Sequence, residues 1–445
     1  MVLAQPAAIT ISGQWNIASG ALEGPDRMGN YTITTLGAAT ELLSLPFDQP
    51  LADWTDPRLV QVPRGISRHV VRFIRAHNQI FAIKEATERY VIRENHLLRE
   101  LAEASVPVVD AFGTVVDRSD HEGHHLDGLL ITKHLPYSLP YRSLFTERSL
   151  PDLRSRLLDA LAQLFVRLHL TGFYWGDCSL SNTLFRRDAG ALAAYLVDAE
   201  TSEKHPQLSS GQRTHDITIA TENIAGELMD LQAGGYLSMD EDPVETAMAL
   251  QPRYEALWAE LTDDQVYSSS ESYRIEERVR RLNSLGFDVS EIGIRTEDSG
   301  SKLRFETHIV EPGHHARRVY ALTGLRLQEN QARLILSELA RFRAKWIEGV
   351  EHDIPEDLAA RRWLDEKFYG TIGMVPPALR AKMPDAELFF EISEHRWLMS
   401  ERSGQDVGRQ AAVDDYVKNV LSKLPDAGVR ILTEPATEEI PVITE

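Results

Sequence analysis

The sequence predicts an α+β fold of two lobes followed by a mostly helical C-terminal domain. Three observations carry this expectation. Residues 59–84 hold short β-branched and aromatic runs broken by turn residues, which read as a strand meander. An apolar-striped segment at about 152–170 precedes a polar loop and two short apolar runs. Beyond about residue 263 the chain turns to longer helical stretches of mixed charge. Its 445 residues leave room for about three units. The composition shifts divide it into an extension (1–54), a first lobe (55–136), a second lobe (137–262) and a C-terminal domain (263–445).

In chain order, residues 1–50 are poorly patterned, with a short strand expected at Tyr31-Thr32-Ile33-Thr34. The proline-rich stretch 45–57 reads as an extended lead-in that packs Phe47 and Trp54 on the next domain. Strands are expected at 59–62, 68–75 and 80–84, the first two joined by the turn Arg64-Gly65-Ile66-Ser67. From Thr87 the period becomes helical, with Pro107 beyond the helix end, and two further strands follow at about 108–116 and 129–132. The second lobe should hold the helix at 152–170, strands near 183–185 and 192–197, and helices over 214–231 and 240–261. The C-terminal domain should open with a basic helix at 273–285 and a strand pair at 289–295 and 303–310. A long basic helix within 319–346 and helical residues 355–424 should follow, then a loose tail from Pro425.

The composition narrows the function. With 43% hydrophobic and 26% charged residues the chain can bury sizeable cores. A net charge of -20 argues against non-specific nucleic-acid binding by the whole chain. It is compatible with phosphate ligands bridged by magnesium, because the metal brings its own positive charge. A single cysteine cannot form an intramolecular disulfide, so a reducing, cytoplasmic compartment is expected. No apolar run approaches the ~18 residues of a membrane-spanning helix. The absence of basic residues before Arg27 does not suit a secretory signal.

Three constellations carry chemistry. Trp175-Gly176-Asp177-Cys178-Ser179-Leu180-Ser181-Asn182 places an Asp and an Asn five residues apart after a long helix. In a phosphoryl-transfer catalytic loop this spacing lets the Asp orient or deprotonate an acceptor hydroxyl while the Asn binds Mg²⁺. Asp198 ends the apolar run Tyr195-Leu196-Val197, sixteen residues after Asn182. A hairpin would therefore return it beside the amide as the main Mg²⁺ ligand. Ala82-Ile83-Lys84 closes the meander, with Lys84 reaching α- and β-phosphates and a helical Glu pairing with it. Glu94 is the choice for that partner, with Glu88 and Glu100 as rivals. Backbone N–H groups of Gly65, Ile66 and Ser67 would cover the phosphates.

The order hairpin with Gly turn, Ala-Ile-Lys, helix, long helix, Gly-Asp-x-x-x-x-Asn and strand-Asp resembles the protein-kinase-like superfamily. Gly-Asp followed by Asn is more similar to aminoglycoside phosphotransferases and lipopolysaccharide-core sugar kinases than to eukaryotic protein kinases. The whole chain resembles an uncharacterised, mainly actinobacterial family. In that family the N-terminal half is lipopolysaccharide-kinase-like and the C-terminal half is a domain of unknown function. The kinase resemblance covers about residues 55–262. It implies a two-lobed protein-kinase-like fold with ATP and Mg²⁺ bound in the cleft and phosphoryl transfer to a hydroxyl acceptor, a sugar or other small molecule first. Three departures bear on it. Trp175 stands where the superfamily usually has His, Ala199-Glu200 replaces Phe-Gly after Asp198, and the phosphate turn has one glycine. The first two favour an alternative, a nucleotide-binding pseudokinase that presents its C-terminal domain to a protein partner.

Other features read more plainly. Cys178 is expected to be a small buried thiol, since no activating neighbour is identified. His121, His124, His125 and the pair His314-His315 lack the spaced partners of a zinc site and read as surface residues. The Arg-rich run 314–345 reads as a solvated helix face. It is also the one candidate surface for nucleic acid, an acidic head group or the acidic remainder of the chain.

Overall fold

The computed structural model describes residues 8–16, 28–36, 40–62, 69–76, 79–140, 144, 153–189, 191–262, 265–268, 288–297, 302–310, 314–347, 354–423 and 430–431. The first lobe is an antiparallel sheet. Its strands are β1 (Ala8–Asn16), β2 (Met28–Leu36), β3 (Leu59–Gln61), β4 (Val71–Ala76), β5 (Gln79–Ala86), β6 (Asp110–Val116) and β7 (Gly128–Lys133). They lie in the order β1-β2-β6-β7-β5-β4-β3, and the pair Arg430–Ile431 adds to the β3 edge. Residues 8–16 and 28–36 of the extension are thus strands of the lobe's own sheet. The tail expected to be loose returns at Arg430–Ile431 to pair with β3, because an open strand edge offers backbone hydrogen bonds to any extended segment.

Strand alternation decides which residues face the cleft. Phe81 and Ile83 of β5 point into one apolar layer, closed by Leu42, Leu45, Phe47, Leu51 and Trp54. Phe47 sits edge-on between Tyr31 and Trp54, as expected of the lead-in. Lys84, one residue on, must then lie on the opposite face. That face is covered by α1 (Glu88–Glu103), whose inward stripe is Val91, Glu94, Leu97, Leu98 and Leu101.

The second lobe is mostly helical. Helices α2 (Leu153–Leu170), α3 (Ser210–Ala233), α4 (Pro243–Met248) and α5 (Leu250–Thr262) enclose the largest apolar cluster. The stretch expected as one helix over 240–261 is broken at Ala249, with Asp242 capping α4. Strand β8 (Leu139–Pro140) pairs with β10 (Thr183–Asp188), which forms a hairpin with β11 (Ala191–Leu196). Strand β9 (Phe173–Tyr174) pairs with β12 (Glu203–Lys204).

Further along, β13 (Gln265–Ser268), β14 (Asp288–Glu297) and β15 (Lys302–Val310) form a three-stranded sheet that contains the expected strand pair. Helices α6 (His314–Thr323), α7 (Glu329–Ile347), α8 (Glu356–Trp363), α9 (Asp385–Ser403) and α10 (Arg409–Asn419) surround a separate core of Trp363, Phe368, Phe389 and Tyr416. The basic helix expected at 273–285 lies outside the described residues. Part of the Arg-rich run is engaged within the molecule. Arg317 donates to Ser105, Arg318 pairs with Glu356, and Arg343 donates to the Ile354 carbonyl.

Candidate active site

Lys84 Nζ lies 3.0 Å from Glu94 Oε2, 2.8 Å from Asp198 Oδ2 and 3.3 Å from Glu200 Oε2. The first contact follows from two periodicities: β5 turns Lys84 toward α1, and Glu94 occupies the inward stripe of α1 in phase with Val91 and Leu98. The two rivals sit elsewhere. Glu88 accepts from the Asp117 backbone, and Glu100 is solvent-facing beside His96. Burial lowers the Lys84 pKa, but the Glu94 and Asp198 carboxylates outweigh it and hold the ammonium above its ordinary value. Burial also opposes the Asp198 anion, yet Lys84 keeps its pKa below the usual carboxylate range. Glu94 shifts upward, because its burial and the Asp198 charge exceed the pull of Lys84.

Ligand oxygens of Glu94, Asp198 and Glu200 lie within 4.8 Å of one another. Against these carboxylates stands one ammonium, so the cluster carries excess negative charge when ionised. Hard oxygen donors with uncompensated charge suit Mg²⁺. Glu200 also approaches His69 Nε2 at 3.1 Å, two residues before β4 begins. Gly65, Ile66 and Ser67 lie outside the described residues.

The polar loop is built around glycine. Gly176 takes φ +79°, a left-handed conformation in which a Cβ would press on the Tyr174 ring and the Thr201 carbonyl. Asp177 follows at once. Asn182 Nδ2 donates to the Asp177 carbonyl at 3.0 Å, which leaves Asn182 Oδ1 as the atom that can turn to a metal. Its own carbonyl accepts from Val197 N at 3.1 Å, so Asn182 and Asp198 enter the site from the two ends of one hairpin. Trp175 is buried against Phe165, and its indole Nε1 donates to the Asp198 carbonyl at 3.2 Å.

Residues 74–219 match the lipopolysaccharide kinase (Kdo/WaaP) family. The N-terminal half therefore carries a kinase-family domain. Residues 256–421 match a domain of unknown function, DUF4032. A solved structure described as "WaaP in complex with acyl carrier protein" is 15% identical. It covers 51% of this chain and 89% of that chain, with a TM-score of 0.31. No curated protein matches the chain.

Within the kinase-like domain, several supports were not singled out from sequence. Asp216 on α3 is fully buried and accepts from Trp175 N (2.7 Å), Gly176 N (2.8 Å) and His169 Nε2 (3.0 Å), while His169 Nδ1 meets Tyr254. Burial lowers the His169 pKa, and the Asp216 carboxylate only partly offsets it. Glu227 accepts from the backbone of Leu180 and Ser181, and Asn223 donates to Asp177 Oδ1 at 3.4 Å and to the Cys178 carbonyl at 3.0 Å. A signal existed for Asp216 and His169: each falls in phase with the apolar stripe of its helix, where a polar group needs a partner. Asn223 and Glu227 are four residues apart and share one helix face, a spacing too common to single out. Cys178 is buried, and burial pushes its thiol well above the ordinary value, as expected of an unreactive thiol.

Proposed function

We propose that the N-terminal half is an ATP·Mg²⁺-dependent phosphotransferase acting on a hydroxyl acceptor, with a sugar or other small molecule as first choice. One observation supports it above the rest: Lys84 is shared between the helical Glu94 and the strand-end Asp198, beside a loop that carries Asp177 and Asn182. Asp198 and Asn182 would hold Mg²⁺, which neutralises phosphate charge when bound. Lys84, steadied by Glu94, would bind the α/β-phosphates. Asp177 would orient the acceptor hydroxyl and take its proton as the acceptor oxygen bonds to the γ-phosphorus. The bond from that phosphorus to the β-bridging oxygen breaks, and ADP leaves with the electron pair. Among the described residues no helix is long and apolar enough to cross a membrane. A cytoplasmic setting belongs to the same proposal.

A second reading rests on Glu200. It stands where the superfamily has glycine and its carboxylate occupies Lys84, as suits a pseudokinase that holds nucleotide without transferring phosphate. Titration calorimetry of ATP with and without Mg²⁺, beside Asp198→Ala, tests the site. Transfer of labelled γ-phosphate to a panel of hydroxyl compounds then separates enzyme from pseudokinase. Mg²⁺-independent binding that survives in Asp198→Ala would overturn both.

A further inference from the structure

The hairpin flanked by Asn182 and Asp198, read above as metal ligands, is gripped at its far end by the C-terminal domain. Asn182 directly precedes β10 and Asp198 follows β11 by two residues, while the strands pair without a break from Thr183↔Leu196 to Asp188↔Ala191. At the tip, Asp188 accepts from Asn330 N at 3.1 Å and from Gln331 N at 2.9 Å, at the N-terminus of α7. A carboxylate there satisfies backbone N–H groups that the helix itself cannot pair. Glu387 of α9 accepts from Ala189 N at 3.2 Å and from Gln331 Nε2 at 2.8 Å. Gln328 Nε2 donates to the Arg187 carbonyl, and Arg187 Nη1 meets Glu391 at 3.3 Å. Asp188, Gln328, Gln331 and Glu387 are buried. Ala189 holds φ +50°, a conformation uncommon for a residue with a side chain. Shifting the tip would leave the buried Asp188 and Glu387 carboxylates and the backbone N–H groups of Ala189, Asn330 and Gln331 without these partners.

We propose that Asp188 and Glu387 are positioning residues for Asn182 and Asp198: docking of the C-terminal domain on the hairpin tip sets the hairpin and, through it, the spacing of the metal ligands. This rests on reading Asn182 and Asp198 as a metal site. An antiparallel hairpin of this length transmits a tilt at its tip over about 20 Å to its root.

The test uses the full chain, with Glu387→Ala and Glu387→Gln, and Arg187→Gln as a milder variant should Glu387→Ala fail to fold. Hydrogen exchange is followed on peptides spanning 182–200 and 328–333. Half-saturating Mg²⁺ for ATP binding is measured alongside. In Glu387→Ala, exchange over 182–200 should quicken roughly ten-fold, on the scale of one lost charge-assisted hydrogen bond. The Mg²⁺ requirement should rise by a similar factor while metal-free ATP binding is unchanged. Glu387→Gln, which keeps an acceptor oxygen, should restore both. Wild-type exchange over 182–200 in Glu387→Ala and in Arg187→Gln overturns the proposal, whether or not 328–333 opens. If the wild-type chain binds no ATP, the phosphotransferase reading falls, and the exchange comparison alone decides the coupling.

Discussion

The indole Nε1 of Trp175 donates to the backbone carbonyl of Asp198 at 3.2 Å. The residue that departs from the superfamily's usual histidine thus still ties the polar loop to the strand-end carboxylate. It is anchored in turn by Phe165 and by Asp216. Trp175→Phe keeps the bulk and removes the donor. It should leave the fold intact, cost about 1 kcal/mol of stability and weaken Mg²⁺-dependent ATP binding. Trp175→His should recover part of that binding. Calorimetry and a denaturant melt on the same samples check both.

Asp198 and Asp177 should separate kinetically. Asp198→Ala removes a carboxylate that both balances Lys84 and would face the metal, so Mg²⁺-dependent ATP binding should vanish. Asp177→Asn should leave ATP affinity close to wild type and reduce turnover by about 10²-fold or more, the scale of a lost general base. Full turnover in Asp198→Ala would sink the assignment.

Glu94 should leave a pH signature on stability. Burial and the neighbouring Asp198 raise its pKa in the folded chain against the pull of Lys84. The folded state then binds this proton more tightly than the unfolded state. The stabilisation is complete below the unfolded glutamate value and is lost as pH rises through the raised one. Thermal melts between pH 5 and 8 should show the wild type falling relative to Glu94→Gln. A flat difference across that range would remove the inference.

Cys178 is buried and its thiol is raised well above the ordinary value by burial. A thiol reagent followed by absorbance should label nothing in the native chain within minutes and one equivalent in denaturant, since the sequence holds one cysteine. Rapid native labelling would mean that the polar loop opens.

Phe47 tests whether the extension is part of the lobe. Its ring is buried beside Tyr31 and Trp54 in the layer that also holds Phe81 and Ile83. Phe47→Ala should cost about 3–5 kcal/mol, measured by denaturant unfolding. A cost near zero would mark the segment as a detachable strap.

Local information in the chain determined a good deal. Strand runs, helical periods and turn residues located the meander, the helices and the hairpin. Their order put Lys84, Glu94, Asp177, Asn182 and Asp198 on elements able to converge, because alternation in a strand and a 3.6-residue helical period are properties of neighbouring residues. The tertiary structure alone decided which glutamate meets Lys84, that β1 and β2 join the first lobe's sheet, and that Arg430–Ile431 returns to its edge. Only the folded chain shows Asp216, Asn223 and Glu227 bracing the loop, or Asp188 and Glu387 closing a seam. The bracing and seam contacts join partners 40 to 198 residues apart in sequence. A polar side chain carries no local mark of the distant backbone group that its burial will force it to satisfy.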